Sequence, residues 1–184
     1  MKVIALALAS LALVGCGRMV VMDRDAEAAE ESLEVVGSSM EPTLHCARPA
    51  FGCRARHDDE VLIRAEQKIQ RREIVAFQVG TQARRDCGAG GMYVKRVVAL
   101  AGERVSFREG AVYVNGRRLR EPYATGPTDP MDDSEVYVPA KHVFVLGDNR
   151  AQSCDSRVWG PLAVRRIVGV GVAIQRGERR IPLP

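Results

Sequence analysis

Ala111-Val112-Tyr113-Val114-Asn115-Gly116-Arg117-Arg118-Leu119 reads as two short strands joined by a tight turn. Asn-Gly accepts positive φ at both central positions, as the two-residue turn of a hairpin requires. The same texture extends in both directions. Residues 61–63, 74–77, 92–100 and 105–107 before the hairpin, and 136–138, 143–146 and 167–174 after it, are rich in β-branched and aromatic side chains. Residues 80–91 and 121–134 are polar and carry glycine or proline, so they read as loops. No stretch after Ser32 keeps a helical period over three turns, and there is no internal repeat. The expected fold is mainly β: an antiparallel sheet domain over 34–184, with a small hairpin-and-loop insertion at about 103–142 as a possible cap.

Composition narrows the class. A chain of 184 residues, 46% hydrophobic and 27% charged, can bury one sizeable core and is not a disordered chain. The net charge of +4 comes without a basic block interleaved with aromatics, so nucleic acid is not an expected partner. The N-terminus is a targeting segment over 1–22: Met1-Lys2, then an apolar run, then Leu13-Val14-Gly15-Cys16. That tetrapeptide resembles the lipobox of bacterial lipoproteins, which implies lipid on Cys16. The alternative extends the apolar run through Met19-Val20-Val21-Met22 as an uncleaved anchor, with Arg18 snorkelling. Either way the rest of the chain is expected outside the cytoplasm, at the membrane surface. Residues 23–33 read as a helical or flexible stalk. Cys46, Cys53, Cys87 and Cys154 then form an even set, which in an exported domain reads as two disulfides. Of the three connectivities, Cys46–Cys53 is the local choice; a zinc site at Cys46, Cys53 and His57 is the competing reading, on an unusual spacing.

Three stretches carry chemistry. In Gly37-Ser38-Ser39-Met40-Glu41-Pro42-Thr43-Leu44, Pro42 has a fixed φ and no N–H, so the chain is rigid and not helical there. A hydroxyl on such a corner can face a substrate carbonyl. In Tyr93-Val94-Lys95-Arg96-Val97-Val98-Ala99-Leu100, the strand period puts Tyr93, Lys95, Val97 and Ala99 on one face. If that face is buried, desolvation lowers the lysine pKa and lets the neutral amine act as a general base. Residues 143–157 run a buried strand into Gly147-Asp148-Asn149-Arg150, Ser153-Cys154-Asp155-Ser156-Arg157, a loop able to satisfy itself through Asp–Arg pairing.

In this order the three stretches resemble the type I signal peptidases, in the cysteine-bearing subset of that family. Ser39-Met40-Glu41-Pro42-Thr43 is similar to the family's nucleophile motif, Arg72-Glu73-Ile74-Val75-Ala76-Phe77 to its second motif, and the Lys95 and Gly147–Arg157 stretches to its last two. The resemblance implies a membrane-associated endopeptidase that removes signal peptides from exported preproteins, with Ser39 as nucleophile and Lys95 as general base. It implies that Ser153 hydrogen-bonds the lysine amine, and that Asp148, Arg150, Asp155 and Arg157 support the loop. The oxyanion would be held by the Ser39 N–H. A serine that some members carry two residues before the nucleophile is Gly37 here. No metal or cofactor is expected, and the chain is expected to be a monomer. The family normally keeps uncleaved transmembrane helices where this chain has its lipobox-like segment. The alternatives are a maturation peptidase dedicated to one secreted or pilus protein, or an inactive lipoprotein relative; the intact Ser39, Lys95 and Ser153 speak against the second. None of His45, His57 and His142 stands in the context of a Ser-His-Asp triad.

Overall fold

A computed structural model describes residues 29–65, 68–88, 90–128 and 135–183. The targeting segment 1–22 with Cys16, and the first part of the stalk, lie outside the described residues. In chain order the elements are β1 (Glu30–Glu34), β2 (Glu60–Arg64), β3 (Ile74–Gln78), α1 (Thr81–Cys87), β4 (Met92–Ala99), β5 (Arg104–Arg108), β6 (Ala111–Val114) and β7 (Arg117–Arg118). They continue with β8 (Val136–Tyr137), β9 (His142–Leu146), α2 (Ser156–Trp159), β10 (Leu162–Ala163), β11 (Ile167–Arg176) and β12 (Arg179–Pro182). The main sheet runs β1-β2-β11-β3-β4-β9-β10, with β12 also paired to β11, and a second sheet runs β7-β6-β5-β8. The strand pairs are antiparallel, as expected for this fold class.

Burial explains the sequence pattern of the central strand. In β3, Ile74 and Ala76 face one apolar cluster with Leu44, Val61 and Ile63, while Val75 and Phe77 face another with Val97, Val145 and Val170. A strand covered on both faces needs no polar positions, so 74–77 is an unbroken apolar run. The third cluster joins the second sheet to the main one: Val105, Phe107 and Val112 pack on Val98, Ala99, Phe144 and Leu146. The Asn115-Gly116 turn has φ of 51° and 74°, the left-handed pair that its sequence demands.

Two expectations fail. The last part of the expected stalk is not helical or flexible: Glu30–Glu34 pairs along β2, Leu33 packs on the first cluster, and Glu30 is held by Arg64 and Arg180. Tertiary pairing overrides the weak local preference of an Ala/Glu-rich stretch. The expected loop 80–91 contains α1, capped by Gly80 and by a left-handed Gly88 whose N–H donates to the Arg84 carbonyl. Seven residues with one buried contact, Ala83, are too few to print a helical period on the sequence. Among the described residues no helix is long and apolar enough to cross a membrane.

Candidate active site

Ser39 lies in a single 3-10 turn, Ser38–Met40, entered from extended Gly37. Met40 and Leu44 anchor the turn from below, at 1% and 0% exposure. From above, Asn149 clamps it with two bonds: its N–H donates to the Ser39 carbonyl at 3.1 Å and its Nδ2 to the Ser38 carbonyl at 3.2 Å. Lys95 comes from the middle of β4, opposite Val75 of β3. Its side chain is buried, and its Nζ lies 2.6 Å from Ser39 Oγ and 3.0 Å from the Val94 carbonyl. Among the described residues no carboxylate bonds the amine. Burial therefore lowers its pKa from 10.5 to about 8, against the opposing pull of Asp155 and Asp148 and with a smaller push from Arg157.

The loop after β9 is a network that satisfies itself. Asp155 accepts the Gly147 N–H at 3.0 Å, caps α2 through the Arg157 N–H, and pairs with the Arg157 guanidinium at 2.8 Å. Arg157 also donates to the Arg150 and Ser153 carbonyls. Arg150 donates to the Gly147 carbonyl, Thr128 Oγ1 and Glu121. Asp148 is fully buried against Arg96, whose Nε and Nη2 reach its two oxygens at 2.9 and 2.8 Å, and it accepts from Thr43 Oγ1 at 2.6 Å. Arg96 also donates to the Arg72 carbonyl at 2.8 Å, with the Tyr123 ring 4.0 Å away.

Ser153 departs from expectation. Its Oγ is buried without a hydrogen-bond partner, so no bond to the Lys95 amine is made in this structure. The amine's contacts go to Ser39 and its own strand instead. Ser153 does border the site, because Gly147 is the gap between it and the Ser39 turn. A Cβ on Gly147 would stand 2.5 Å from both the Ser153 Cβ and the Ser39 carbonyl oxygen. A Cβ on Gly37 would meet nothing within 4 Å, so no side chain fills the position of the missing serine.

The cysteines pair as Cys46–Cys53 and Cys87–Cys154. Bonded sulfurs cannot also be thiolate ligands, which removes the zinc reading at Cys46, Cys53 and His57. The second disulfide ties α1 to the residue after Ser153. Both its cysteines line a cleft of about 390 Å³ that opens on Ser39 and Lys95 and is walled by Val35, Val36, Met40 and Tyr93.

Sequence reasoning missed Arg96, Thr43 and Asn149. Arg96 had a usable signal: it sits beside Lys95 in a strand apolar from Val97 to Ala99, so the strand period puts the two cations on opposite faces. Asn149 carried no such signal, since its bonds go to backbone that only the fold brings near.

The family described as signal peptidase, peptidase S26, matches residues 3–175. Thylakoidal processing peptidase 1 of Arabidopsis thaliana is 41% identical over 81 residues, 44% of this chain and 24% of that protein. A probable signal peptidase I-2 of Synechocystis sp. is 32% identical over 142 residues, 76% of this chain and 60% of the relative. Signal peptidase I of Bacillus caldolyticus is 30% identical over 148 residues, 73% of each. The chain thus spans 24% and 60% of the length of the first two. A crystal structure of signal peptidase I from Enterococcus faecalis V583 matches 58% of this chain and 98% of that one, at 31% identity and a TM-score of 0.46.

Proposed function

The chain belongs to the signal peptidase family S26, and from that premise we propose that it is a membrane-associated serine endopeptidase that cleaves signal peptides from exported preproteins through a Ser39/Lys95 dyad. The observation that carries the reading is the 2.6 Å contact between Ser39 Oγ and a buried Lys95 amine whose pKa is lowered to about 8. At that value about one molecule in ten is neutral at pH 7, against about one in a few thousand for an ordinary lysine. Neutral Nζ takes the Ser39 proton as the hydroxyl attacks the scissile carbonyl. The oxyanion lies on the Ser39 N–H, in a pocket left open at Gly37. The lysine ammonium then protonates the leaving amine, and water deprotonated by the same lysine hydrolyses the acyl-enzyme. Asp148, Arg150, Asp155 and Arg157 hold the loop that fixes Asn149 over the nucleophile turn. To Ser153 we assign the role of steadying the ammonium once it forms. The N-terminal segment, through lipid on Cys16 or as an uncleaved anchor, keeps the domain on the extracytoplasmic face.

The test is cleavage of a purified preprotein by the full chain in detergent, with Lys95→Ala beside it. Cleavage after a small residue by the first and none by the second is the expected result. A Lys95→Ala variant that cuts at the same rate would overturn the dyad.

A further inference from the structure

A second cleft adjoins the Ser39 turn and shares no lining residue with the apolar one. It encloses about 670 Å³ and is lined by Glu41, His45, Gly52, Arg54, Asn149 and Gln152. It reaches the Ser39 turn through Asn149, which holds the Ser38 and Ser39 carbonyls, and through Glu41, which follows the turn directly. Its wall is prebuilt. The Cys46–Cys53 disulfide closes the 46–53 loop, and the Ala47 and His45 N–H groups donate to Asp58 and Asp59. Gly52 packs so closely on the turn that a Cβ there would lie 3.1 Å from Ser38 Oγ.

The two clefts differ in chemistry. The one holding Lys95 is lined by Val35, Val36, Met40, Met92, Tyr93 and Val94 among others, whereas this one carries two charged side chains, Glu41 and Arg54, with His45, Asn149 and Gln152. A peptide bound across Ser39 has its acyl half on one side of the turn and its leaving half on the other. The charges in the polar cleft are also unequally committed. Glu41 accepts the Cys46 N–H at 3.4 Å and faces His45 Nε2 at 3.9 Å. Arg176, near Glu41, is taken up by Asp59 at 2.7 Å. Arg54 is exposed and has no ion pair among the described residues.

Resting on the peptidase reading above, we propose that this cleft binds the leaving half of the substrate and that Arg54 gives it a preference for an acidic side chain there. A free guanidinium at the mouth of a polar cleft attracts a carboxylate and repels an ammonium, and the effect is screened by salt because the pair is exposed. Discrimination of this kind enters kcat/KM as a ratio between substrates.

The experiment uses the full chain in detergent and a set of peptides with one cleavage site. A single Glu, Lys or Ala is scanned through the first four positions after the cut. Wild type is expected to prefer Glu over Lys at one of these positions by about two- to fivefold at low ionic strength, and less at high salt. Arg54→Ala should bring that ratio near unity and Arg54→Glu should invert it. A Glu/Lys ratio that is flat in wild type, or unchanged in Arg54→Glu, would overturn the proposal while cleavage of the Ala peptides keeps the peptidase reading intact. Failure of wild type to cut any peptide, the Ala series included, sinks both.

Discussion

Lys95 and Arg96 are consecutive residues of β4, exposed to 3% and 1%, and the protein treats their charges in opposite ways. On one face Arg96 receives a bidentate carboxylate from Asp148, a carbonyl and an aromatic ring. On the other, Lys95 receives a hydroxyl and a carbonyl and, among the described residues, no carboxylate. A buried cation that is fully paired stays charged and serves as structure. A buried cation left without its counter-ion becomes the group most easily discharged, which is what a base near neutral pH requires. The strand thus carries a fixed charge and a removable one 180° apart, separated by a single peptide unit.

The largest expected effect lies on the removable charge. Lys95→Met should lower kcat/KM by about 10⁴-fold and yet leave the fold intact. Because the folded pKa of about 8 lies below the reference 10.5, the folded state sheds its proton first as pH rises. The wild-type chain therefore carries the cost of the buried ammonium in full below about pH 8 and is relieved of it between 8 and 10.5. Lys95→Met should raise the thermal midpoint at pH 7 by an amount that shrinks at pH 9.5; the ceiling is about 3 kcal/mol for a shift of this size. An unchanged or lower midpoint at pH 7 would break the contrast with Arg96.

Asp148→Ala tests the fixed charge. It strands a buried guanidinium and should cost about 3–5 kcal/mol in denaturant unfolding, whereas the apolar pair Arg96→Met with Asp148→Leu should recover most of that loss. Full stability of the single variant would mean that Arg96 finds another partner. The smallest effect is the wild-type pH profile. The kcat/KM should rise about tenfold from pH 7 to 9 and level off, with a midpoint near 8, as the neutral amine accumulates. A midpoint near 10.5 would show that the burial of Lys95 does not tune it.

Much of this was readable in the sequence, for reasons that differ by region. The Asn115-Gly116 hairpin and the apolar run of β3 are local signals, set by backbone sterics and by double-sided burial. Ser39 and Lys95 were legible because rigid Pro42 and the strand period restrict where each side chain can point. What escaped depends on long-range contact. The α1 helix was hidden in a glycine-bounded stretch too short for a period. The strand at Glu30 needed β2, and the clamp by Asn149 joins residues 110 positions apart. The expected Ser153–Lys95 bond is not formed here, although an ammonium bonded to one hydroxyl and one carbonyl keeps a third donor to offer.

The bulge in β4 has a consequence for how such a protein can change over time. Val97 pairs with Val145 but Ala99 with Phe144, so the ladder loses step at Val98. Before the slip, Val97 belongs to the main core; after it, Val98 and Ala99 both belong to the core shared with the second sheet. The slip acts as a clutch between the part of the strand that aims Lys95 and the part that carries the β5–β8 module. A change of register in that module is therefore expected to be absorbed at Val98 and not passed back to Lys95.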